Sequence, residues 1–198
     1  MKTYQNRVTV TKKAGTTSKI NYIAGGSAVQ NLAKDMLPND YSEKPALTFI
    51  NGMSGSKTLA AYLPRSYSNL MSELNPTGAN GVKVATLAAG SGNHTVTIVM
   101  DDDIISGPTA LSDKPTCVSK CMDTLSLTPD DLTPFTMENA TATYSGCRIE
   151  AVFDVQNRMT KLDVTTPVQI KGDLKYTVIQ LKDTDVTGTY NGNYTFAY

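Results

Sequence analysis

Tryptophan is absent from these 198 residues, histidine occurs once and cysteine three times. Charge is also scarce. Eighteen Lys+Arg balance 18 Asp+Glu for a formal net charge of zero, and 18% charged residues falls below the roughly 25% of ordinary soluble domains. Each absence removes a class of function. A neutral chain lacks the basic patch with which nucleic-acid binders displace counterions from phosphates. No apolar run approaches the roughly 20 residues that a membrane-spanning helix needs. Met1 to Thr11 contain no apolar stretch of the kind found in a signal peptide, so the start suits a trimmed mature domain and a cytosolic protein alike. Cys117, Cys121 and Cys147 are odd in number and too few for a disulfide framework. Buried small hydrophobes are the expectation for them. Cys117 and Cys121, four residues apart, share a face if helical, which leaves a bridge between them as the alternative. A zinc site would need four ligands, and His94 sits in an unrelated segment.

What is abundant points to strands. Ten tyrosines and 27 threonines favour pleated, half-buried surfaces. Cys147, Ile149, Ala151 and Phe153 alternate with Arg148, Glu150, Val152 and Asp154, which predicts a strand with one apolar face. Asp154–Arg158 reads as a turn. Met159–Ile170 resumes the pattern, Leu174, Tyr176 and Val178 continue it, and Tyr194, Phe196 and Tyr198 close the chain at period two. Residues from about 140 to 198 therefore read as an antiparallel meander. Asn191-Gly192 fits either a type I′ hairpin turn or a bulge in one long final strand, with the bulge preferred. Val82–Leu87 and Thr95–Met100 form a hairpin around Gly90-Ser91-Gly92-Asn93.

Helices are fewer. Ser27-x-x-Gln30 reads as a capping box; Val29, Leu32, Ala33, Met36 and Leu37 follow at helical spacing, and Pro38 ends the run. A second helix is expected around Tyr67, Leu70, Met71 and Leu74, and a third from Cys117 to Leu125 with Val118, Cys121 and Met122 inward. Thr128-Pro129-Asp130-Asp131 has the cap, proline and acids of a helix start. The resulting fold class is α+β: a curved, half-barrel-like antiparallel sheet packed on two to three short helices. One domain over 1–198 is expected, with Ser106–Pro115 joining two halves of the sheet.

The candidate chemistries are thin. Any Ser-His-Asp or Cys-His arrangement must use His94, which reads as a solvent-facing histidine beside a turn. Asp101-Asp102-Asp103 offers calcium-type oxygens without EF-hand spacing. Gly25-Gly26-Ser27 matches no phosphate-binding pattern, and Gly52-Met53-Ser54-Gly55-Ser56-Lys57-Thr58 has the wrong first-glycine spacing for a P-loop. It reads as a flexible turn. Glu150 and Asp154 lie on a strand's polar face. Asn93, Asn139 and Asn193 begin glycosylation sequons, which matter only in a eukaryotic secretory host.

Three segments carry a resemblance: Tyr144-Ser145-Gly146-Cys147-Arg148-Ile149-Glu150-Ala151-Val152-Phe153-Asp154, then Arg158-Met159-Thr160-Lys161-Leu162, and the closing Tyr194-Thr195-Phe196-Ala197-Tyr198. With Gly188-Thr189-Tyr190 and Val96–Asp102, they resemble uncharacterised secreted, lipoprotein-like proteins of gut Firmicutes. The resemblance implies export, often behind a surface anchor, and brings no established activity with it. A more distant, fold-level likeness is to the half-barrel of periplasmic lipoprotein carriers. No catalytic, metal or cofactor-binding residue and no cofactor is expected. The expected function is a non-catalytic secreted or cell-surface module with a scaffold, adhesion or binding role. The alternatives are a carrier of a lipid or other hydrophobic ligand in the hollow of the sheet, a carboxylate-dependent hydrolase, and an intracellular protein with reduced thiols.

Overall fold

Period-two runs of threonine, valine and tyrosine produce the longest strands, and these lie together at the centre of the sheet. The computed structural model describes residues 7–64, 81–106, 118, 122–123 and 132–198. Within them, β1 (Arg7–Tyr22), β10 (Met159–Tyr176) and β11 (Ile179–Ala197) form an antiparallel ribbon in the order β1-β11-β10. On the β1 side follow β2 (Ser42–Ile50), β3 (Met53–Ser54) and β4 (Lys57–Thr58). On the far side β10 is shared. Its first half pairs with β9 (Arg148–Asp154), its second half with β8 (Phe135–Tyr144). β6 (Asn93–Met100) and β5 (Val82–Ala89) extend the β9 branch, and β7 (Asp103–Ser106) extends the β8 branch. The result is one antiparallel sheet of eleven strands, not closed on itself, with two helices among the described residues.

The C-terminal region is therefore not a simple meander: β8 and β9 are consecutive in the chain, yet both pair with β10. β11 runs as one continuous strand, and its register is regular on both sides through Asn191 and Gly192. That pair forms neither a hairpin turn nor a bulge, because Gly192 is needed for another reason: a Cβ there would lie 2.9 Å from the ring of Tyr194. Val178, expected to continue the buried pattern, sits 92% exposed in the turn that joins β10 to β11.

The bulges fall elsewhere, in one row. Asn21 of β1, Asp183 of β11 and Asn139 of β8 mark the places where their strands carry an extra residue against the neighbour. Asn139 and Asp183 adopt left-handed φ values of 52° and 59°, a region that Asn and Asp tolerate better than most side chains. Bulges bend a strand and sharpen its twist, and here they fall close together on three of four neighbouring strands.

β1 outruns β2, which stops pairing at Ala14. The segment Pro38–Asp40 covers the exposed edge. Asp40 donates its N–H to the Thr16 carbonyl (3.0 Å) and accepts the Thr16 N–H on its carboxylate (2.6 Å). Asn39 accepts the Ser18 N–H (2.9 Å). Gly15, at φ 145°, permits this approach, since a Cβ would come within 2.6 Å of the Asp40 carbonyl oxygen.

α1 (Gly26–Met36) forms where its spacing predicts, and the helix stops at Leu37, ahead of Pro38. Its cap differs from expectation. Gly25, at φ 98°, occupies the N-cap, no side chain caps the helix, and Ser27 lies inside it. Ala33 is buried and Val29 and Met36 pack beside it, but Leu32 is 42% exposed. A short α2 (Leu59–Tyr62), capped by the Thr58 hydroxyl on the Ala61 N–H, was not expected from the sequence. The expected helix at Tyr67–Leu74 and the helix start at Thr128–Asp131 lie outside the described residues, as do Cys117 and Cys121. Val118 and Met122 are joined by a helical 2.8 Å hydrogen bond and are fully buried.

Three apolar clusters line one face of the sheet. Phe49, Val8, Val10, Tyr194 and Phe196 form one. Val164, Val168 and Ile170 with Met100, Val118, Met122 and Cys147 form the second. Ile23, Ala33, Phe135, Leu174 and Leu181 form the third, beneath α1.

Candidate functional site

The residues that the sequence singled out are dispersed. His94 is half-buried at the start of β6 rather than out in the turn, and its ring stacks on Phe153 at 5.3 Å with the planes 11° apart. Asp102 accepts a hydrogen bond from the Ser145 hydroxyl (2.8 Å), while Asp103 already belongs to β7. Among the described residues no group of three His, Cys, Asp or Glu side chains is placed to hold a metal ion. Glu150 pairs with the Arg148 guanidinium. Asp154 instead organises its own turn, accepting from the N–H groups of Gln156 and Arg158 (2.9 Å each) and from Arg158 Nε (2.8 Å). Gly52–Thr58 is not a loose turn: it contains the β3–β4 hairpin. Cys147 is buried, as expected of a small hydrophobe.

Two polar features lie on opposite faces of the central ribbon. The first is on the apolar face. Side chains alternate along a strand, so Lys12 and Tyr194, paired across β1 and β11, face the same way as the core. Lys12 Nζ lies 5.2 Å and 5.1 Å from the ring centroids of Tyr62 and Tyr194 and donates to the Tyr62 carbonyl (3.4 Å). Burial pushes this ammonium below its ordinary value of 10.5, the Asp123 charge opposes the shift, and Lys44 adds to it. Tyr190 donates to Asp123 (3.1 Å). Burial, then the Asp123 charge, raise the Tyr190 phenol; burial and neighbouring Tyr190 raise that of Tyr194. This cluster ties the segment carrying Asp123 to the sheet.

The second is an open concavity of about 460 Å³ on the opposite face, built where the bulges align. Tyr22, Asn139, Thr141, Lys171, Gly172, Asp173, Asp183, Thr184 and Asp185 line it. Strand pairing sets Tyr22, Asp185, Lys171 and Thr141 in one row across β1, β11, β10 and β8. Two of the three carboxylates are held by hydrogen bonds. Asp173 accepts the Asp183 N–H (3.1 Å). Asp185 accepts from Asn21 (3.0 Å) and from Gln169 (3.1 and 3.0 Å), with Lys171 Nζ 3.9 Å away. Tyr22 is 52% exposed at the rim. The arrangement offers fixed acceptors, an amide, a hydroxyl and an ammonium around one hollow, beside an aromatic ring.

Beneath α1 the apolar face leaves a void of about 30 Å³, lined by Ile20, Ile23, Met36, Phe135, Leu174 and neighbours. That is far below the roughly 300–1,000 Å³ of a small-molecule pocket.

Sequence reasoning missed the concavity. Its one sequence signal is the break in alternation at Lys182-Asp183, where two polar residues interrupt an inward period. The break becomes informative only once the partner strands are known. No protein-family model, curated protein or solved structure matches the chain.

Proposed function

We propose that the protein is a non-catalytic binding module of the cell exterior, secreted or attached to a surface, and that its sheet is bent into a half-barrel at the aligned bulges. The observation that carries this reading is the concavity of about 460 Å³, open to solvent and lined by polar groups, of which Asp173 and Asp185 are already fixed by hydrogen bonds. Preorganised polar groups that converge on one hollow lower the ordering cost of binding a polar ligand there. The face around it, where Thr11, Thr17, Thr165, Thr187, Thr189 and Thr195 alternate with the buried positions, gives a surface module a broad hydroxyl-bearing contact area. Sedimentation of the purified chain with insoluble peptidoglycan and with mucin tests the binding role. Retention on either material supports it; no retention on both removes it. Antibody labelling of intact, unpermeabilised producing cells and of their medium tests the compartment, and signal found only after permeabilisation overturns that part.

A further inference from the structure

We infer that the concavity on the bulged strands takes a neutral pyranose unit of a glycan, with Tyr22 as the stacking platform and Asp173, Asp183 and Asn139 as hydroxyl ligands. The inference rests on the surface-binding reading above and names the ligand class of the same site.

The chemistry of the lining selects the ligand. A pyranose presents several hydroxyls in fixed directions, each both donor and acceptor, together with a face of C–H groups. It is matched by planar carboxylate and amide groups, which accept and donate in defined directions, beside an aromatic ring with an apolar face. The hollow supplies both. Asp183 and Asn139 reach it from bulge positions with left-handed backbones, and Tyr22 stands half-exposed at the end of β1. Asp173 and Asp185 are held by hydrogen bonds from within the sheet, so little ordering remains to oppose binding. The volume, about 460 Å³, lies within the range of small-ligand pockets.

Charge narrows the class. Three carboxylates face the hollow against one lysine, and that lysine lies 3.9 Å from Asp185. Uronic, sialic and phosphorylated sugars would meet like charge there. A fatty ligand would strand the carboxylates without water or partner. Of the neutral and anionic sugars, the neutral hexoses remain.

The test is an NMR titration of the isotope-labelled full chain with the methyl glycosides of glucose, galactose and mannose, and with glucuronic acid as the charged control. At least one neutral glycoside is expected to bind with Kd of millimolar order, about −4 kcal/mol, shifting amides at Tyr22, Asn139, Thr141, Gly172 and Asp183. Tyr22→Ala is expected to weaken binding by about tenfold, equivalent to 1.4 kcal/mol. Asp183→Asn, which keeps a residue suited to the left-handed backbone, should weaken it too. Thermal melts check that both variants fold; if either does not, the wild-type shift map decides. No shift with any neutral glycoside, shifts centred elsewhere, or equal binding of glucuronic acid would overturn the assignment. Retention on peptidoglycan or mucin without shifts in the hollow sinks the pyranose site and leaves the surface-binding reading intact. Shifts in the hollow with no retention on either material do the reverse.

Discussion

The ring of Tyr194 lies directly over Gly192, two residues earlier on the same face of β11: a Cβ built at Gly192 would stand 2.9 Å from Cε2 and 3.3 Å from the hydroxyl oxygen. Tyr194 is fully buried, so its ring has little room to withdraw. Gly192→Ala is expected to lower stability by about 1–3 kcal/mol through overpacking, read as a lower urea midpoint with an unchanged slope. An unchanged midpoint would show that the ring yields freely.

Thr166 is fully buried on β10, and its hydroxyl has no hydrogen-bond partner among the described residues. Thr166→Val keeps the shape and removes the stranded polar atom. It is expected to raise stability by about 1 kcal/mol. A loss measured in the same denaturation experiment would reveal a partner for that hydroxyl.

Alkaline pH should unfold the chain through its tyrosines. Burial, then Cys147 and Asp103, raise Tyr144 from 10.0 to about 12, and Tyr190 and Tyr194 are raised as well. The unfolded chain loses these protons first. The stability they confer is complete below pH 10 and disappears as pH rises through about 12. Tyrosinate absorbance should therefore appear together with the loss of sheet circular dichroism. Ionisation of all ten tyrosines without unfolding would contradict this.

Asp154 behaves in the opposite direction. Desolvation pushes its carboxyl up, but the N–H and guanidinium of Arg158 and the N–H of Gln156 outweigh that and hold it below 3.8. Its contribution is present above the unfolded value and lost as pH falls through the lower folded value. Wild type should melt above Asp154→Asn at pH 7, with the gap closing only as pH falls below 3.8. A gap of constant size would mean that the carboxyl's charge is irrelevant to the turn.

Lys12 provides a linkage in the basic range. Its ammonium is disfavoured first by burial, so the folded chain prefers the neutral amine more than the unfolded chain does. Wild type should gain stability relative to Lys12→Met as pH rises from 7 toward 10.5. Parallel curves for the two proteins would rule this out.

The strands of the C-terminal half were legible because Cys147–Phe153 and Tyr194–Phe196 alternate cleanly, and the Val82–Met100 hairpin because Gly90–Asn93 is strong turn chemistry. α1 was legible from spacing, but its cap was not: Ser27 and Gln30 imitate a capping box, while Gly25 and Gly26, free to take positive φ, start the helix two residues earlier. The pairing of β8 with β10 and the row formed by Asn21, Asp183 and Asn139 were invisible, because a bulge is a mismatch between two strands and neither strand alone contains it. The hollow, made from that mismatch, was hidden for the same reason.

β1 has its longest partner in β11, Thr9 facing Ala197 and Ile20 facing Val186. During synthesis, β1 must therefore wait until Val186–Ala197 have emerged before this ladder can close. Such distant pairings make assembly slow and leave strand edges open to other chains in the meantime.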